Sequence, residues 1–198
     1  YFRYFCDLVM NYDKNLWNLY TKENLETEQK KLGDFIYHLT LGLGAKKICE
    51  VGTNVGNTLI GFPKTFDVTG VDLNQYALSI NKGKHEEFKF DLASALELPY
   101  SDNSFDLVFT RGVLIHINPT DIDKVIDELF RVSKKWIVSL EYFGEDSKTI
   151  SWKRGDNLLW YRDMKTKWNN YDVEIISDLE MPEKIDSGKT RLTVVKKL

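Results

Sequence analysis

Five short apolar segments, separated by stretches of helical character, are the feature that most limits how this 198-residue chain can fold. They read KICEV, DVTGVDL, EFKFDL, FDLVFT and WIVSLEYF. Their nearly continuous Val, Ile, Leu and Phe content is typical of strands covered on both faces, as in a parallel sheet flanked by helices. Two later segments, YDVEIIS and RLTVVKKL, predict a closing hairpin. We therefore predict an α/β fold with a doubly wound, mostly parallel sheet of seven strands, a C-terminal antiparallel hairpin and N-terminal helices.

The segments around these strands predict how the chain is organised. Before residue 44, apolar residues such as Leu16 and Leu19 recur at spacings of three, four and seven, which predicts two helices broken near YTKENLETEQ. Thr27 can open the second helix, and the glycines of LGLG can end it. A later helix is predicted to begin at Asn118 and Pro119. We expect one domain, with an N-terminal helical cap (1–44), a core (45–198) and a lid-like, aromatic-rich insertion at about 144–168.

Composition and charge exclude several classes of partner. The net charge of −3 gives no electrostatic footprint for nucleic acid. No apolar run approaches the roughly 20 residues that would span a membrane. The two cysteines, Cys6 and Cys49, cannot form a disulfide framework, which favours a reducing compartment. No signal peptide is visible. We expect a cytoplasmic monomer or dimer that binds neither nucleic acid nor membrane and holds no metal ion.

The stretch ICEVGTNVGNTLIGF combines an apolar strand with a turn rich in Gly, Asn and Thr. Ligands of open parallel sheets bind at the carboxyl ends of the strands, where the strand order reverses. Gly52 and Gly56 bracket this turn, and glycine lets the backbone approach a ligand closely. Glu50 comes just before the first glycine, where its carboxylate can face the crevice. Because many α/β proteins need such a turn for packing alone, it only suggests a ligand site.

Acidic residues at the ends of the next two strands add to this pattern. Asp72 follows the turn by about 20 residues, where an acidic side chain can accept hydrogen bonds from both hydroxyls of a ribose. It can equally cap the helix NQYALSI. Asp91, or the backbone N–H of Leu92, can contact an adenine edge, although an ordinary turn aspartate is the alternative. The glycine turn and Asp72 together indicate an adenosine-type ligand.

Two cofactors fit such a crevice, a nicotinamide dinucleotide and S-adenosylmethionine. A dinucleotide site has the pattern G-x-G-x-x-G, which places pyrophosphate on a helix N-terminus. Here Asn54 occupies the position of the middle glycine, and no cationic residue is near. Glu50 would repel pyrophosphate but can accept a hydrogen bond from the ammonium of a methionine tail. The charge pattern therefore favours S-adenosylmethionine.

The motifs EVGTNVG, GVDL and LELPYSDNSFDLVFTRGVLIHI resemble those of class I S-adenosylmethionine-dependent methyltransferases over about residues 46–142. EVGTNVGN, FTRGVLIHINP and EYF are similar, more narrowly, to the methyltransferases associated with pseudaminic acid biosynthesis, a bacterial group linked to surface glycans. The resemblance implies a Rossmann-like fold and S-adenosylhomocysteine as product. This sequence departs from the family pattern at two positions. Asn54 replaces a glycine, and Pro63 ends the helix after Gly56 early. The cofactor-binding residues it implies are Tyr20, Glu50, Gly52, Thr53, Asn54, Gly56, Asn57, Asp72, Leu73, Asp91, Leu92, Thr110, Arg111 and Gly112.

The acceptor implied by the narrower resemblance is a small anionic sugar, sugar acid or nucleotide sugar, methylated on oxygen or nitrogen. His116, Glu141 and Tyr142 follow the fourth and fifth strands and are candidate catalytic residues. His116 can instead satisfy backbone groups, and Glu141 can pair with Arg111. In the insertion, the predicted acceptor-binding residues are Trp152, Lys153, Arg154 and Arg162, because cations meet an anion and aromatic rings pack on a sugar. The alternative for the insertion is a helix that packs on the sheet.

Two other functions remain open from the sequence. The altered glycine turn is also compatible with a catalytically silent subunit that binds S-adenosylmethionine and acts with a partner protein. A nicotinamide-dependent oxidoreductase module is the third hypothesis, which the missing glycine disfavours.

Overall fold

A computed structural model describes residues 13–25, 29–188 and 190–198 of the chain. The strands are β1 (Lys47–Val51), β2 (Asp67–Asp72), β3 (Lys89–Leu92), β4 (Phe105–Arg111), β5 (Ser133–Tyr142), β6 (Val173–Glu180) and β7 (Thr190–Lys197). The helices are α1 (Lys14–Asn24), α2 (Lys30–Gly42), α3 (Gln75–Lys84), α4 (Ile122–Val132) and α5 (Met164–Lys167). Short 3₁₀ turns lie at Asn57–Leu59, Leu114–His116 and Trp168–Asn170.

The seven strands form one sheet in the order β3-β2-β1-β4-β5-β7-β6. β1 to β5 pair in parallel, whereas β7 is antiparallel to both β5 and β6. This confirms the predicted doubly wound, seven-stranded fold with its C-terminal hairpin. β1 lies between β2 and β4, so the strand order reverses there, and a crevice opens at the carboxyl ends of these strands. At that end Val51 pairs with Val71 on one side and with Thr110 on the other.

Both faces of the sheet are covered, as the apolar strands require. On one face α4 contributes Val125 and Leu129 to a buried cluster, which also contains Trp168 from the end of the insertion. On the other face α2 contributes Leu32 and Ile36. The sheet is therefore the core of the chain, and its strand ends are held rigidly for a site.

The beginning of α4 differs from the sequence prediction. Asn118 does not cap the helix, which begins at Ile122 after Asp121. The Asn118 carboxamide oxygen instead accepts hydrogen bonds from the backbone N–H and the hydroxyl of Thr120, at 3.0 and 2.9 Å. Asparagine favours such local turns because its side chain competes for nearby backbone donors.

The two predicted N-terminal helices are present in the described residues. Thr27, predicted to open the second, lies outside those residues, and α2 begins at Lys30 after Gln29. With 13 residues, α2 is the longest α-helix described. In the part of the chain that the structure describes, no helix has the length and apolar character to cross a membrane.

α2 packs closely against the segment that follows β1. The sequence predicts a short helix here that ends at Pro63, but this described segment has only one 3₁₀ turn, at Asn57–Leu59. A Cβ atom built on Gly61 would lie 3.0 Å from the carbonyl carbon and oxygen of Gly33 in α2. Backbone stands against backbone at this contact, so neither glycine has room for a side chain.

Replacing Gly61 by alanine should lower the free energy of unfolding by about 2 kcal/mol, because the new methyl group forces two backbones apart. Thermal or urea denaturation measures this. The matched control is Gly83→Ala in α3, where a Cβ meets no atom within 4 Å. Alanine favours helix over glycine, so this control should be neutral or stabilising by up to about 1 kcal/mol. Equal stabilities of the two variants would contradict the close contact.

Candidate active site

One pocket lies at the carboxyl ends of β1, β2 and β4, with α1 along its rim. Most of the residues predicted to bind the cofactor line it. These are Tyr20, Glu50, Gly52, Thr53, Asn54, Asn57, Asp72, Leu73, Arg111 and Gly112. Further lining residues escaped the sequence analysis, namely Trp17, Thr21, Asn24, Gln29, Val51, Val55, Thr58, Val71, Asn74, Ala93, Ala95, Val113 and Ile117.

The turn after β1 is shaped by residues in the left-handed region. The φ angles of Gly52, Asn54 and Gly56 are +77°, +46° and +68°. Asparagine tolerates this conformation better than most residues, which explains how Asn54 replaces a glycine. A Cβ on Gly52 would collide with the Val113 side chain. The turn therefore stays tight, and its backbone lines the pocket.

Gly56 has a packing role where a cofactor contact was predicted. It does not line the pocket. A Cβ at this position would collide with the side chain of Asn81 and would come within 3.0 Å of His85. Close approach to α3 and the residue after it is thus the physical reason for this glycine.

Glu50 is a buried carboxylate at the end of β1. The Thr53 hydroxyl donates to its Oε2 at 2.6 Å, and the Thr58 hydroxyl donates to its Oε1. Burial raises the pKa of Glu50 to about 7, although both hydroxyls and the charge of Arg111 act to lower it. A cation in the pocket would favour the ionised form, so the site is suited to an ammonium group.

Asp72 joins the end of β2 to the glycine turn. Its Oδ2 accepts from the backbone N–H of Asn54 and its Oδ1 from that of Asn74, both at 2.8 Å. Burial raises its pKa, and these backbone hydrogen bonds oppose the shift. The alternative role as helix cap is wrong, because Asn74 is the N-cap of α3 and accepts from the N–H of Tyr76. Each Asp72 oxygen retains capacity for one more hydrogen bond.

The adenine side differs from the prediction. Asp91 does not line the pocket, and its Oδ2 accepts from the Tyr100 hydroxyl at 2.8 Å. Leu92 is exposed to solvent, and Thr110 is fully buried. Successive side chains of a strand point to opposite faces of the sheet, so a place at the end of β3 or β4 does not by itself direct a side chain into the pocket. Ala93 and Ala95 line the pocket instead.

Arg111 lines the pocket at the end of β4. The sequence suggested Glu141 as its partner, but its Nη2 lies 3.1 Å from Oδ1 of Asp186, in the β6–β7 connection. Asp186 is itself buried and also accepts from the Thr190 hydroxyl at 2.6 Å. The guanidinium is thus held in place at the pocket by a fixed carboxylate.

Glu141 and Tyr142 do not line the pocket, contrary to their predicted catalytic role. Glu141 is buried, and its two oxygens accept from the backbone N–H groups of Val113 and Leu114, at 3.2 and 3.1 Å. Burial raises its pKa to about 7. Tyr142 is half-buried and lies close to Gly188 and Gly112. Glu141 therefore holds the 3₁₀ turn that carries His116.

His116 is the one candidate catalytic residue that lines the pocket. Its Nδ1 lies 3.2 Å from the carbonyl oxygen of Leu158, which can only accept, so the proton of the neutral ring belongs on Nδ1. Burial lowers the pKa of His116 to about 4. The ring is therefore neutral at physiological pH, and Nε2 is left as a hydrogen-bond acceptor.

Aromatic rings from α1 and the insertion surround His116. The ring centroids of Trp17 and Trp152 lie 4.8 and 5.3 Å from that of His116, and Tyr20 lies at 6.1 Å. We call Trp17, Tyr20, His116 and Trp152 the ring wall. It brings the N-terminal helix and the insertion together at one end of the pocket.

The cations predicted to bind an anionic acceptor are engaged elsewhere. Arg154 pairs with Glu23 of α1, and its guanidinium lies 4.7 Å from the Trp152 ring. Lys153 lies 3.8 Å from the same glutamate. Arg162 is 1% exposed and donates to the carbonyl oxygens of Ile117 and Tyr161. None of the three lines the pocket. Lys153 and Arg154 lie beside Glu23, whereas Arg162 is held by backbone carbonyl groups.

Comparison with known proteins gives a match to a family model over part of the chain and a similar fold. Residues 49–136 match the family model described as a methyltransferase domain. A Haemophilus influenzae protein described as uncharacterized is 37% identical over 117 residues, 53% of this chain and 47% of that protein. Norajmaline N-methyltransferase of Rauvolfia serpentina is 34% identical over 96 residues, 44% of this chain and 32% of that enzyme. The chain thus spans half or less of the length of these curated relatives.

Among solved structures, the fold resembles that of 1,6-didemethyltoxoflavin-N1-methyltransferase from Burkholderia thailandensis, determined with bound 1,6-didemethyltoxoflavin and S-adenosylhomocysteine. The TM-score is 0.68 at 16% identity, over 89% of this chain and 82% of that one. The chain therefore has the Rossmann-like fold of the methyltransferases. The match over residues 49–136 and the fold are both similar to those of methyltransferases.

Proposed function

We propose that this chain binds S-adenosylmethionine in the pocket and methylates a small acceptor, with S-adenosylhomocysteine as product. The observation that carries the proposal is the charge of the described pocket lining. Two acids, Glu50 and Asp72, and one base, Arg111, are its charged side chains, since His116 is neutral. The cofactor has an ammonium, a sulfonium and a carboxylate, so its charges complement those of the pocket.

Each charged residue has a separate role in this proposal. Glu50, once ionised, accepts from the ammonium of the methionine tail, and Arg111 binds the carboxylate. Asp72 accepts from the ribose hydroxyls, because backbone N–H groups use only part of its capacity. The side chains of Leu73, Ala93 and Ala95 offer an apolar surface to adenine. Tyr20, Thr53 and Asn57 offer further side chains to the cofactor. Gly52, Asn54 and Gly112 offer it their backbone groups.

Methyl transfer from a sulfonium requires little acid–base catalysis by the protein. When bound, the cofactor supplies a methyl group already activated by its positive sulfur. The protein then contributes alignment of the acceptor and exclusion of water. His116 Nε2 orients the O–H or N–H of the acceptor and can take its proton. A pKa of about 4 makes this nitrogen a weak base, so orientation is its main role. Glu141 supports it by fixing the backbone at Val113 and Leu114.

For the acceptor we propose a sugar or nucleotide sugar of surface-glycan biosynthesis. This narrower proposal depends on the resemblance to the pseudaminic-acid-associated group and on the ring wall, since aromatic rings pack well on a pyranose. Arg111 is assigned to the cofactor carboxylate, and Arg154 and Arg162 are engaged elsewhere, so the described pocket lining gives no support to an acidic group on the acceptor. The N-terminal cap and the insertion would enclose the acceptor between them.

Calorimetric titration with S-adenosylmethionine, S-adenosylhomocysteine and NADH tests the cofactor. We expect binding of the first two and none of NADH. Incubation with labelled cofactor and a panel of acidic sugars, neutral sugars and aromatic amines then tests the acceptor. Binding without turnover on any acceptor would favour the silent subunit, whereas NADH binding alone would favour the oxidoreductase.

Replacing His116 by phenylalanine should lower kcat about a hundredfold, because the ring packing stays while the acceptor nitrogen is lost. The affinity for S-adenosylhomocysteine should change less than threefold. Steady-state kinetics and calorimetry on the same sample separate the two effects. His38→Phe is the control, since His38 is exposed on α2. A His116→Phe variant with normal kcat would show that His116 only packs.

A further inference from the structure

α1 lies along the pocket, and none of its apolar side chains is fully buried. Leu19, which belongs to the apolar pattern of the sequence, is 53% exposed. The fully buried residue of α1 is the polar Thr21, at 1% exposure. Helices with little apolar burial open at low free-energy cost. The position of α1 therefore depends on its polar contacts with the core as well as on the packing of Trp17 and Tyr20 in the ring wall.

Thr21 makes two of these contacts, both with residues of the pocket. Its hydroxyl donates to Oδ1 of Asn54 in the glycine turn, at 3.0 Å, and accepts from Nδ2 of Asn74 after β2, at 3.0 Å. One turn further along α1, the carbonyl oxygen of Asn24 accepts from Nδ2 of Asn57 at 2.9 Å. A glycine at position 54 would have no side chain to receive the Thr21 hydroxyl.

Asn54 and Asn74 are also the residues whose backbone N–H groups bind the Asp72 carboxylate. The Thr21 hydroxyl thus binds the side chains of the same two residues whose backbone N–H groups bind Asp72. A ribose bound to Asp72 would therefore change the position or mobility of the residues on which α1 docks. Cofactor binding and α1 docking are consequently coupled through Asn54 and Asn74.

The docking of α1 also sets the acceptor end of the pocket. Trp17 and Tyr20 precede Thr21 by four residues and one residue, and both belong to the ring wall. Trp17 packs edge-on against His116, and Tyr20 does so against Trp152, with centroids 4.8 and 6.0 Å apart. A displacement of α1 would therefore open the wall beside His116.

We infer that Thr21 is a positioning residue that latches α1 over the cofactor through Asn54 and Asn74. This inference rests on the proposed function for its ligand. This role explains why asparagine replaces glycine at position 54, because its Oδ1 accepts the hydrogen bond from the Thr21 hydroxyl.

The test compares Thr21→Val with wild type and with Thr21→Ser. Valine has the shape of threonine without the hydroxyl, so it removes both hydrogen bonds, whereas serine keeps them. In Thr21→Val, we expect S-adenosylhomocysteine to dissociate about tenfold faster in stopped-flow measurements. We also expect amide hydrogens of α1 to exchange about tenfold faster in the ligand-free protein. Thr21→Ser should stay within threefold of wild type in both measurements.

Two further variants show whether the effect belongs to the latch. Thr40→Val is the matched control, because the buried Thr40 hydroxyl donates to the carbonyl oxygen of Ile36 within α2 at 2.8 Å and Thr40 does not line the pocket. It should leave both rates unchanged. Asn54→Gly keeps the left-handed backbone and removes the acceptor, so it should speed α1 exchange, and Thr21→Val should add little to it.

Unchanged α1 exchange in Thr21→Val would overturn the inference, as would a Thr21→Ser variant that behaves like valine. If wild type binds no S-adenosylhomocysteine, the proposed function fails. In that case the amide exchange rates of α1 in ligand-free wild type and Thr21→Val still test whether Thr21 holds α1 in place.

Discussion

The Asp72→Ala variant should bind S-adenosylhomocysteine about a hundredfold more weakly than wild type. The carboxylate is proposed to accept two ribose hydroxyls, and hydrogen bonds to a charged group contribute about 1.5–3 kcal/mol each. The same oxygens hold the backbone of Asn54 and Asn74, so the turn and the latch of α1 also loosen. The free energy of unfolding should fall by about 1–2 kcal/mol. Calorimetric titration and urea denaturation measure the two losses separately.

Asp67→Ala is the control on the same strand. Asp67 lies at the opposite end of β2, is exposed and pairs with Lys89 at 3.0 Å. Exposed ion pairs contribute little, so its removal should change stability by less than about 1 kcal/mol and leave binding unaltered. An Asp72→Ala protein that is folded and binds the product within threefold of wild type would refute the ribose role.

The Glu50→Gln variant should gain stability and lose cofactor affinity. Burial raises the pKa of Glu50 to about 7, so the folded chain favours the protonated form. The stabilising contribution of this group is complete below the pKa of the unfolded chain, near 4.5, and is lost as pH rises through about 7. At pH 8 the buried charge is therefore unfavourable, and its replacement should stabilise the ligand-free protein by at most about 3 kcal/mol.

The affinity of the Glu50→Gln variant for S-adenosylmethionine should fall, because the uncharged glutamine does not attract the ammonium group. We expect a loss of about tenfold to a hundredfold at pH 8, measured by calorimetry. Wild-type affinity should fall as pH drops from 8 to 6 while Glu50 takes up its proton, and Glu50→Gln should lose that part of the pH dependence. Glu97→Gln, on an exposed side chain, is the control. A Glu50→Gln variant with full affinity at pH 8 would exclude the ammonium contact.

Several features of the site followed from sequence because they depend on local order. Glu50 and Asp72 end apolar strands, and parallel strands bring their carboxyl ends to one edge. The same reasoning failed for Asp91, because the last residues of β3 turn its carboxylate to Tyr100. It also failed for α1, where the apolar spacing includes the exposed Leu19 while the buried position is Thr21. A helix that covers a polar pocket can bury polar side chains and expose apolar ones, unlike a helix that packs on an apolar core.

Residue type and short spacing along the chain account for the seven strands, the parallel sheet, the turn after β1 and the acids at the ends of β1 and β2. These local properties act in the same way whatever the distant parts of the chain are. Long-range packing is needed to explain why Arg111 pairs with Asp186, 75 residues away, and why Thr21 contacts Asn54 across 33 residues. Each of these groups has several chemically equivalent partners in the sequence. Packing the helices onto the sheet selects one of them, because the distance between two side chains is set by the fold and not by their order.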